Sequence, residues 1–457
     1  MNDQQPAATA APSTVPYPSS RQAWTMVFTL LVFYIFSFID RQILSLLIGP
    51  MKRDLELDDF QISLLGGFAF ALFYTVLGIP IGRLADRFSR KKIIAVGVIF
   101  WSLMATLCGL ARTFWTFFAA RVGVGVGEAA LSPPAYSLIT DAFPREKVGT
   151  AFSVYNMGIA IGSGIALLVG GLVVGAVSTG ATYSLPLLGE VRAWQFVFIV
   201  TGAPGILLPL LLLLFREPKR RGLMKVESAA GAEVAKSIPL RDVIAFMIKG
   251  GHFYSLHFIA MAMFAMLGYA VGFWLPEVMA RTYGISVAEV GKVLGLSTIF
   301  INTLGIFTAG RLCDYWTRSG RADAPIFVCF WVAIAVVATS ALPAFMPTAT
   351  AGLIMMCIAG FPFHGYVAMG PMAVNQVTPN QMRAQVSSVY LFVNALLGIG
   401  VGPSLVGFIS EYVLGDPSQI RYALMIVVVG AGSVAAILSW LARAKYKERL
   451  ALAAQWH

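Results

Sequence analysis

FWTFFAARVGVGVGEAALSPPAYSLIT, residues 114–140, is apolar enough to read as a membrane span, yet it carries Arg121 and Glu128. An ionised side chain in the middle of a span costs about 2.5 to 3.5 kcal/mol on insertion scales, so neither residue is expected to face lipid. Seven helical residues at about 100° each return the two to nearly one face, about 10 Å apart along the axis. A basic and an acidic group on one face of a span call for a polar interior, and the simplest interior that needs them is a transport pathway. Pro133 and Pro134 are expected to kink the same helix.

Composition outside this stretch agrees. The chain has 457 residues, 58% hydrophobic and 12% charged, against roughly 25% charged in a soluble domain. Runs such as FVFIVTGAPGILLPLLLLLF (196–215) have the length of helical spans, not of ten-residue barrel strands. The fold class is therefore all-α membrane protein, with twelve transmembrane helices in two six-helix bundles. The spans are placed at 24–50, 60–82, 93–111, 116–140, 148–178, 192–215, 251–281, 287–311, 324–344, 349–374, 383–413 and 421–443. Domain by domain, residues 1–22 form a tail rich in Ala, Pro, Ser and Thr and 23–215 the first bundle. A linker with an amphipathic helix (SIPLRDVIAFMIKG, 237–250) fills 216–250; the second bundle takes 251–443 and a tail 444–457.

The net charge of +11 does not indicate nucleic acid, because the basic residues gather in short loops. Loops on the side of the tails hold Arg83, Arg87, Arg90, Lys91, Lys92, Arg145, Lys147, the 216–249 cluster, Arg311, Arg318 and Arg321. The opposite side holds Lys52, Arg53, Arg112, Arg192, Arg281 and Arg421. Lysine and arginine stay inside, so both termini are expected in the cytoplasm; no Asn-X-Ser/Thr sequon is present, which fits a bacterial inner membrane. Cys108, Cys313, Cys329 and Cys357 lack paired spacing and read as packing residues; no metal or cofactor is expected, and the chain is read as a monomer.

The halves repeat. GRLADRFSRKK (82–92) recurs as GRLCDYWTRSGR (310–321), and PREKVGTAFSVY (144–155) recurs more faintly as PNQMRAQVSSVY (379–390). Two joined six-span repeats place a binding site at their interface near the midplane.

The loop GRLADRFSRKK resembles the signature between spans two and three of the major facilitator superfamily, with the 310–321 loop as its second copy. Within that superfamily, FIDRQ (38–42), the 82–92 loop and RVGVGVGEAALSPPAYSLITDAFP (121–144) are similar to the spinster family. That resemblance implies a lysolipid-like or other amphipathic anion as substrate. It also implies a cytoplasmic gate at Gly82, Asp86, Arg87 and Arg90, closing on the start of span eleven, with Asp314 and Arg318 as a weaker counterpart facing the start of span five. Arg87, Arg90, Lys91 and Lys92 are also expected to face anionic head groups. GIAIGSGIALLVGG (158–171) lacks the proline of the superfamily's antiporter signature, which leaves the direction of coupling open.

Asp40 and Arg41 lie deep in span one. At about 1.5 Å per residue, Asp40 sits about 14 Å from the outer side, between Arg121 at about 7 Å and Glu128 at about 18 Å. Asp40, Arg41, Arg121 and Glu128 are thus the expected site for proton coupling and substrate, with Arg121 switching between the two carboxylates while the free one takes a proton. Gly123, Gly125 and Gly127 lack the strand-turn-helix context of a dinucleotide loop and read as close-packing residues. No nucleotide-binding loop or catalytic cluster is present in the sequence, so an enzyme is disfavoured. Transport of another organic anion or a drug, and a non-coupled lipid scramblase or channel, are the alternatives.

Overall fold

The computed structural model describes residues 17–143, 145–176, 182–185, 189–219, 240–249, 252–340, 342–379 and 382–453. Eleven segments are long and apolar enough to cross a membrane. The first six-helix half supplies span one (Ser20–Leu46), span two (Asp59–Gly78, continuing as helix to Arg87), span three (Arg90–Cys108), span five (Arg145–Ala176) and span six (Ala193–Leu214). Spans seven to twelve are Phe253–Tyr283, Val287–Arg318, Ala324–Phe345, Ala349–Gln376, Gln385–Val413 and Pro417–Ala453.

Span four completes the twelve in two pieces, Phe114–Glu128 and Ser132–Ala142. Pro133 and Pro134 fall in the first turn of the second piece, where a missing N–H leaves no helical bond unmade, so the helix stops and restarts there instead of bending smoothly. Span twelve continues as helix to Ala453, through the segment expected to be a tail. Tyr446 is buried there and bonded to Gln376, and the Arg449 guanidinium lies 4.8 Å from the Phe246 ring. The amphipathic segment forms the helix Leu240–Lys249. Most of the linker, and the N-terminal tail up to residue 16, lie outside the described residues.

Helix starts follow cap chemistry. Asp58 and Gln61 form a reciprocal capping box ahead of span two (2.6 and 3.1 Å), and Thr113 and Thr116 do the same ahead of span four. Ser286 and Thr348 cap spans eight and ten by accepting from Glu289 N and Ala351 N (both 3.2 Å). A short antiparallel strand pair, β1 (Thr182–Leu185) and β2 (Gly189–Arg192), lies between spans five and six, a feature with no hydropathy signal.

Each bundle has its own apolar cluster, around Phe33, Phe70, Trp101 and Tyr155 in the first and around Phe253, Phe264, Cys329 and Tyr446 in the second. A third cluster joins the bundles at the end remote from the chain's first helical residue, with Ile43, Leu47, Ile62, Trp274, Val278 and Val406. Spans five and eight press together beside it: a Cβ on Gly164 would fall 2.8 Å from Gly295 O, and one on Gly295 2.6 Å from Gly164 O. Leu207, Leu210, Leu213 and Leu214 on span six stand exposed, as a lipid-facing stripe requires.

Candidate functional site

Span one carries Asp40 and Arg41 just before the helix tightens into a 3₁₀ turn at Ile43–Leu46. Span four presents Arg121 and Glu128, and its helix ends at Glu128. Glycine makes this approach possible. A Cβ on Gly125 would fall 2.5 Å from Phe70 O and one on Gly127 2.7 Å from Trp101, so the packing reading of these glycines agrees with the structure.

The four residues converge, in a pairing different from the expected one. Arg41, not Arg121, holds Glu128: Arg41 Nε donates to Glu128 Oε2 at 2.7 Å and its Nη2 bonds the same oxygen. Arg121 binds neither carboxylate. Its Nε donates to Leu65 O (3.1 Å) and its Nη1 to the backbone oxygen of Asp40 (3.3 Å), while Nη2 is buried without a partner. The reason is local. Leu65 lies in a π-helical turn, Leu64–Phe68, whose widened backbone offers a carbonyl to the guanidinium. Glu128, seven residues on, is bonded to Arg41 instead.

Aromatic rings complete the site. The Arg41 guanidinium lies 4.5 Å from the Phe70 centroid and 5.1 Å from both Phe38 and Tyr74, and the Arg121 guanidinium lies 5.7 Å from the same Phe70 centroid. Asp40, Arg121 and Glu128 are buried, whereas the Arg41 side chain keeps 13% of its exposure. Arg41 is thus the charged member of the four that meets solvent.

The near-end loop corrects another expectation. Arg90 does not face head groups; it is fully buried. It pairs with Asp141 at the end of span four and, at 3.1 Å, with Glu217 after span six, and donates to Ser137 Oγ (2.9 Å) and Pro218 O (2.7 Å). Lys91 likewise turns inward, to Phe215 O (2.6 Å). A cation held by two carboxylates on its own bundle has no charge left to offer lipid. Burial pushes the Glu217 carboxyl up, but the hydrogen bonds from Ser89 and Arg90 together with the Arg90 charge outweigh it and hold Glu217 below the usual range. Asp314 and Arg318 are exposed, and Arg318 Nε bonds Asp314 O within its own helix (3.3 Å). Gly82 falls within the helix that runs on to Arg87, and the side chains of Asp86 and Arg87 lie outside what the structure describes, as do those at the start of span five.

One cluster was not anticipated. At the remote end Asp59, fully buried at the start of span two, receives Lys52 from its own bundle. From the other bundle it receives Arg281 through Nη1 and Nη2 (3.0 and 3.1 Å) and Ser410 Oγ (3.1 Å). Arg281 is held in turn by Glu277 (2.9 Å), and Glu411 accepts from Asp59 N (3.3 Å). Asp59 in sequence is one of several polar residues at a helix start, and its partners lie 222 and 351 residues away. Nothing local distinguishes it.

Residues 30–403 match the profile of the Major Facilitator Superfamily. An MFS-type efflux pump of Mycolicibacterium smegmatis is 29% identical over 440 residues, covering 93% of this chain and 94% of that protein. The mouse sphingosine-1-phosphate transporter SPNS2 is 24% identical, over 87% of this chain and 73% of its own length. The crystal structure of a bacterial homologue of the human lysosomal transporter spinster, inward-facing and unoccupied, superposes with a TM-score of 0.76 at 27% identity, covering 94% of this chain and 99% of that one. With twelve helices in two bundles and this sequence match, the chain belongs to the Major Facilitator Superfamily and is an integral membrane transporter, not an enzyme.

Proposed function

We propose that the protein is a proton-coupled secondary transporter that moves a lysolipid-like or other amphipathic anion by alternating access, with Asp40, Arg41, Arg121 and Glu128 as its coupling site. The observation that carries this reading is the Arg41–Glu128 ion pair, buried on the acid side and open to solvent on the basic side. A proton added to Glu128 removes the charge that holds Arg41. The released guanidinium can then take a phosphate or carboxylate in a two-point hydrogen bond, which its planar fork favours. Arg121, with one nitrogen unpartnered, stands ready to compensate whichever carboxylate stays ionised. Phe38, Phe70 and Tyr74 supply apolar surface beside the charge, which suits a ligand with a chain attached to its anionic head.

The ion-pair cluster at Asp59 supports assigning this structure to the inward-open member of the cycle, with the termini cytoplasmic. The two bundles are tied at the end we take as outer, while Asp314 and Arg318 at the other end stand exposed. Efflux of a different organic anion or a drug is the second reading, favoured by the similarity to the mycobacterial pump.

Uptake into liposomes driven by a proton gradient tests the proposal. Glu128→Gln and Asp40→Asn are expected to lose the pH dependence of uphill transport, while exchange down a substrate gradient persists in at least one of them. Wild-type pH dependence in both variants would refute the coupling role.

A further inference from the structure

The second bundle holds a polar cluster that the coupling site does not use. Asn302 Nδ2 lies 3.1 Å from His364 Nδ1, and Asn302 is buried with its Oδ1 unpartnered. Asn302 closes a π-helical turn in span eight, Thr298–Asn302. His364 lies in the break of span ten, between the helices Ala349–Phe363 and Tyr366–Gln376.

The internal repeat relates this cluster to the first site. The 82–92 loop and its copy at 310–321 are offset by 228 residues, which carries Tyr74 onto Asn302 and Arg41 onto Tyr269. The 144–155 segment and its copy at 379–390 are offset by 235, which carries Ala129, first residue of the break in span four, onto His364. Spans four and ten are therefore broken at matching positions. Paired interruptions of this kind in two halves of a transporter mark opposite walls of one binding site. Span seven, which carries Tyr269, joins the two walls: its Phe264 ring stacks on Tyr366 of span ten (4.6 Å between centroids), and its Phe273 ring fills the space where a Cβ on Gly66 of span two would stand.

The walls differ in chemistry. The first carries charges; the second carries an amide and an imidazole bonded to each other. If the amide NH₂ donates one hydrogen to Nδ1, the imidazole proton sits on Nε2, leaving Nε2–H and the second amide hydrogen as donors and Oδ1 as acceptor. If the carboxamide is turned, the NH₂ is left as the donor and Nε2 as the acceptor. Either arrangement offers at least one donor together with an acceptor, and a hydroxyl is the group that answers both. Gly360 makes room for the amide, since a Cβ there would fall 2.4 Å from Asn302 Oδ1.

We infer that Asn302 and His364 form a neutral half-site that binds a hydroxyl of the substrate, opposite the wall that binds its charge. This rests on the transport reading above and narrows the substrate class to hydroxyl-bearing amphiphiles.

The test is binding to the full chain in nanodiscs, using oleoyl lysophosphatidic acid and its analogue lacking the glycerol hydroxyl. Wild type should favour the hydroxylated probe by about three- to tenfold, the worth of one net hydrogen bond. Asn302→Ala and His364→Phe should each bring that ratio to about one. Gly360→Ala, which displaces the amide without removing it, should lower the ratio as well. A ratio unchanged in both single variants, or equal weakening of both probes, overturns the half-site. An uncharged pair, monooleoylglycerol and its analogue lacking the central hydroxyl, separates this inference from the anion reading. Discrimination within that pair, lost in Asn302→Ala, upholds the half-site even if the phosphate probes do not bind.

Discussion

Replacing Asp59 by Asn should open the end of the transporter that the structure shows closed. Asp59 is wholly buried and receives Lys52, Nη1 and Nη2 of Arg281, and Ser410. Arg281 and Ser410 belong to the opposite bundle, so these contacts exist only while the bundles meet at this end. Breaking a buried ion pair by removing one partner costs about 3 to 5 kcal/mol. The lower figure applies, because the Lys52 and Arg281 side chains keep 17% and 20% of their exposure and water screens them in part. A loss of about 3 kcal/mol confined to one conformation shifts a two-state equilibrium roughly a hundredfold. Arg281→Gln leaves Asp59 its lysine and serine partners and should shift the balance less. The assay is double electron–electron resonance between spin labels on the loop at Glu56 and on Gly415 of the opposite bundle. The variant should show a new long-distance population, and a cysteine at Ser410 should become reactive to a membrane-impermeant maleimide from the Arg281 side. A distance distribution and reactivity identical to wild type in Asp59→Asn would refute the claim that this cluster holds the bundles together. The apolar cluster around Trp274 and Val278 would then be sufficient by itself.

Three further outcomes follow from the packing. Arg90→Ala strands the carboxylates of Asp141 and Glu217 and should lower stability by about 3 kcal/mol, read as a depressed melting temperature in detergent; an unchanged value would mean that the loop is not stapled to its bundle. Glu217 is held below the usual carboxylate range, so its contribution is complete above its ordinary pKa and is lost as pH falls through the lowered value. Thermal stability should therefore fall on acidification, and Glu217→Gln should flatten that acid limb. Gly125→Ala forces a methyl to within 2.5 Å of Phe70 O and should cost about 1 to 3 kcal/mol with a matching loss of folded yield, whereas Gly78→Ala, which meets open space, should be neutral.

Much of the molecule was legible because membranes impose simple rules. A span must be long, apolar and internally hydrogen-bonded, so hydropathy marks eleven of the twelve helices, and Pro133 with Pro134 marks the break that divides the remaining one. Charges buried in spans are costly, so Asp40, Arg41, Arg121 and Glu128 stood out one by one, and the structure brings all four to one place. Duplicated loops gave the two halves and, through their offsets, the correspondence of Tyr74 with Asn302.

Which charges meet was not legible. Arg41 and Arg121 are equal as residues; the π-helical turn at Leu64–Phe68 gave Arg121 a carbonyl partner and left Glu128 to Arg41. Arg90 looked like its basic neighbours in the 82–92 loop, yet the ends of spans four and six fold over it and supply carboxylates from 51 and 127 residues away. Asp59 looked like part of a helix cap and proved to join the bundles. Sequence alone set what must be kept from lipid, because the cost of burial belongs to each residue type separately. Only tertiary structure decided the partners, because a salt bridge depends on angstrom-scale geometry between segments that meet only after the helices pack.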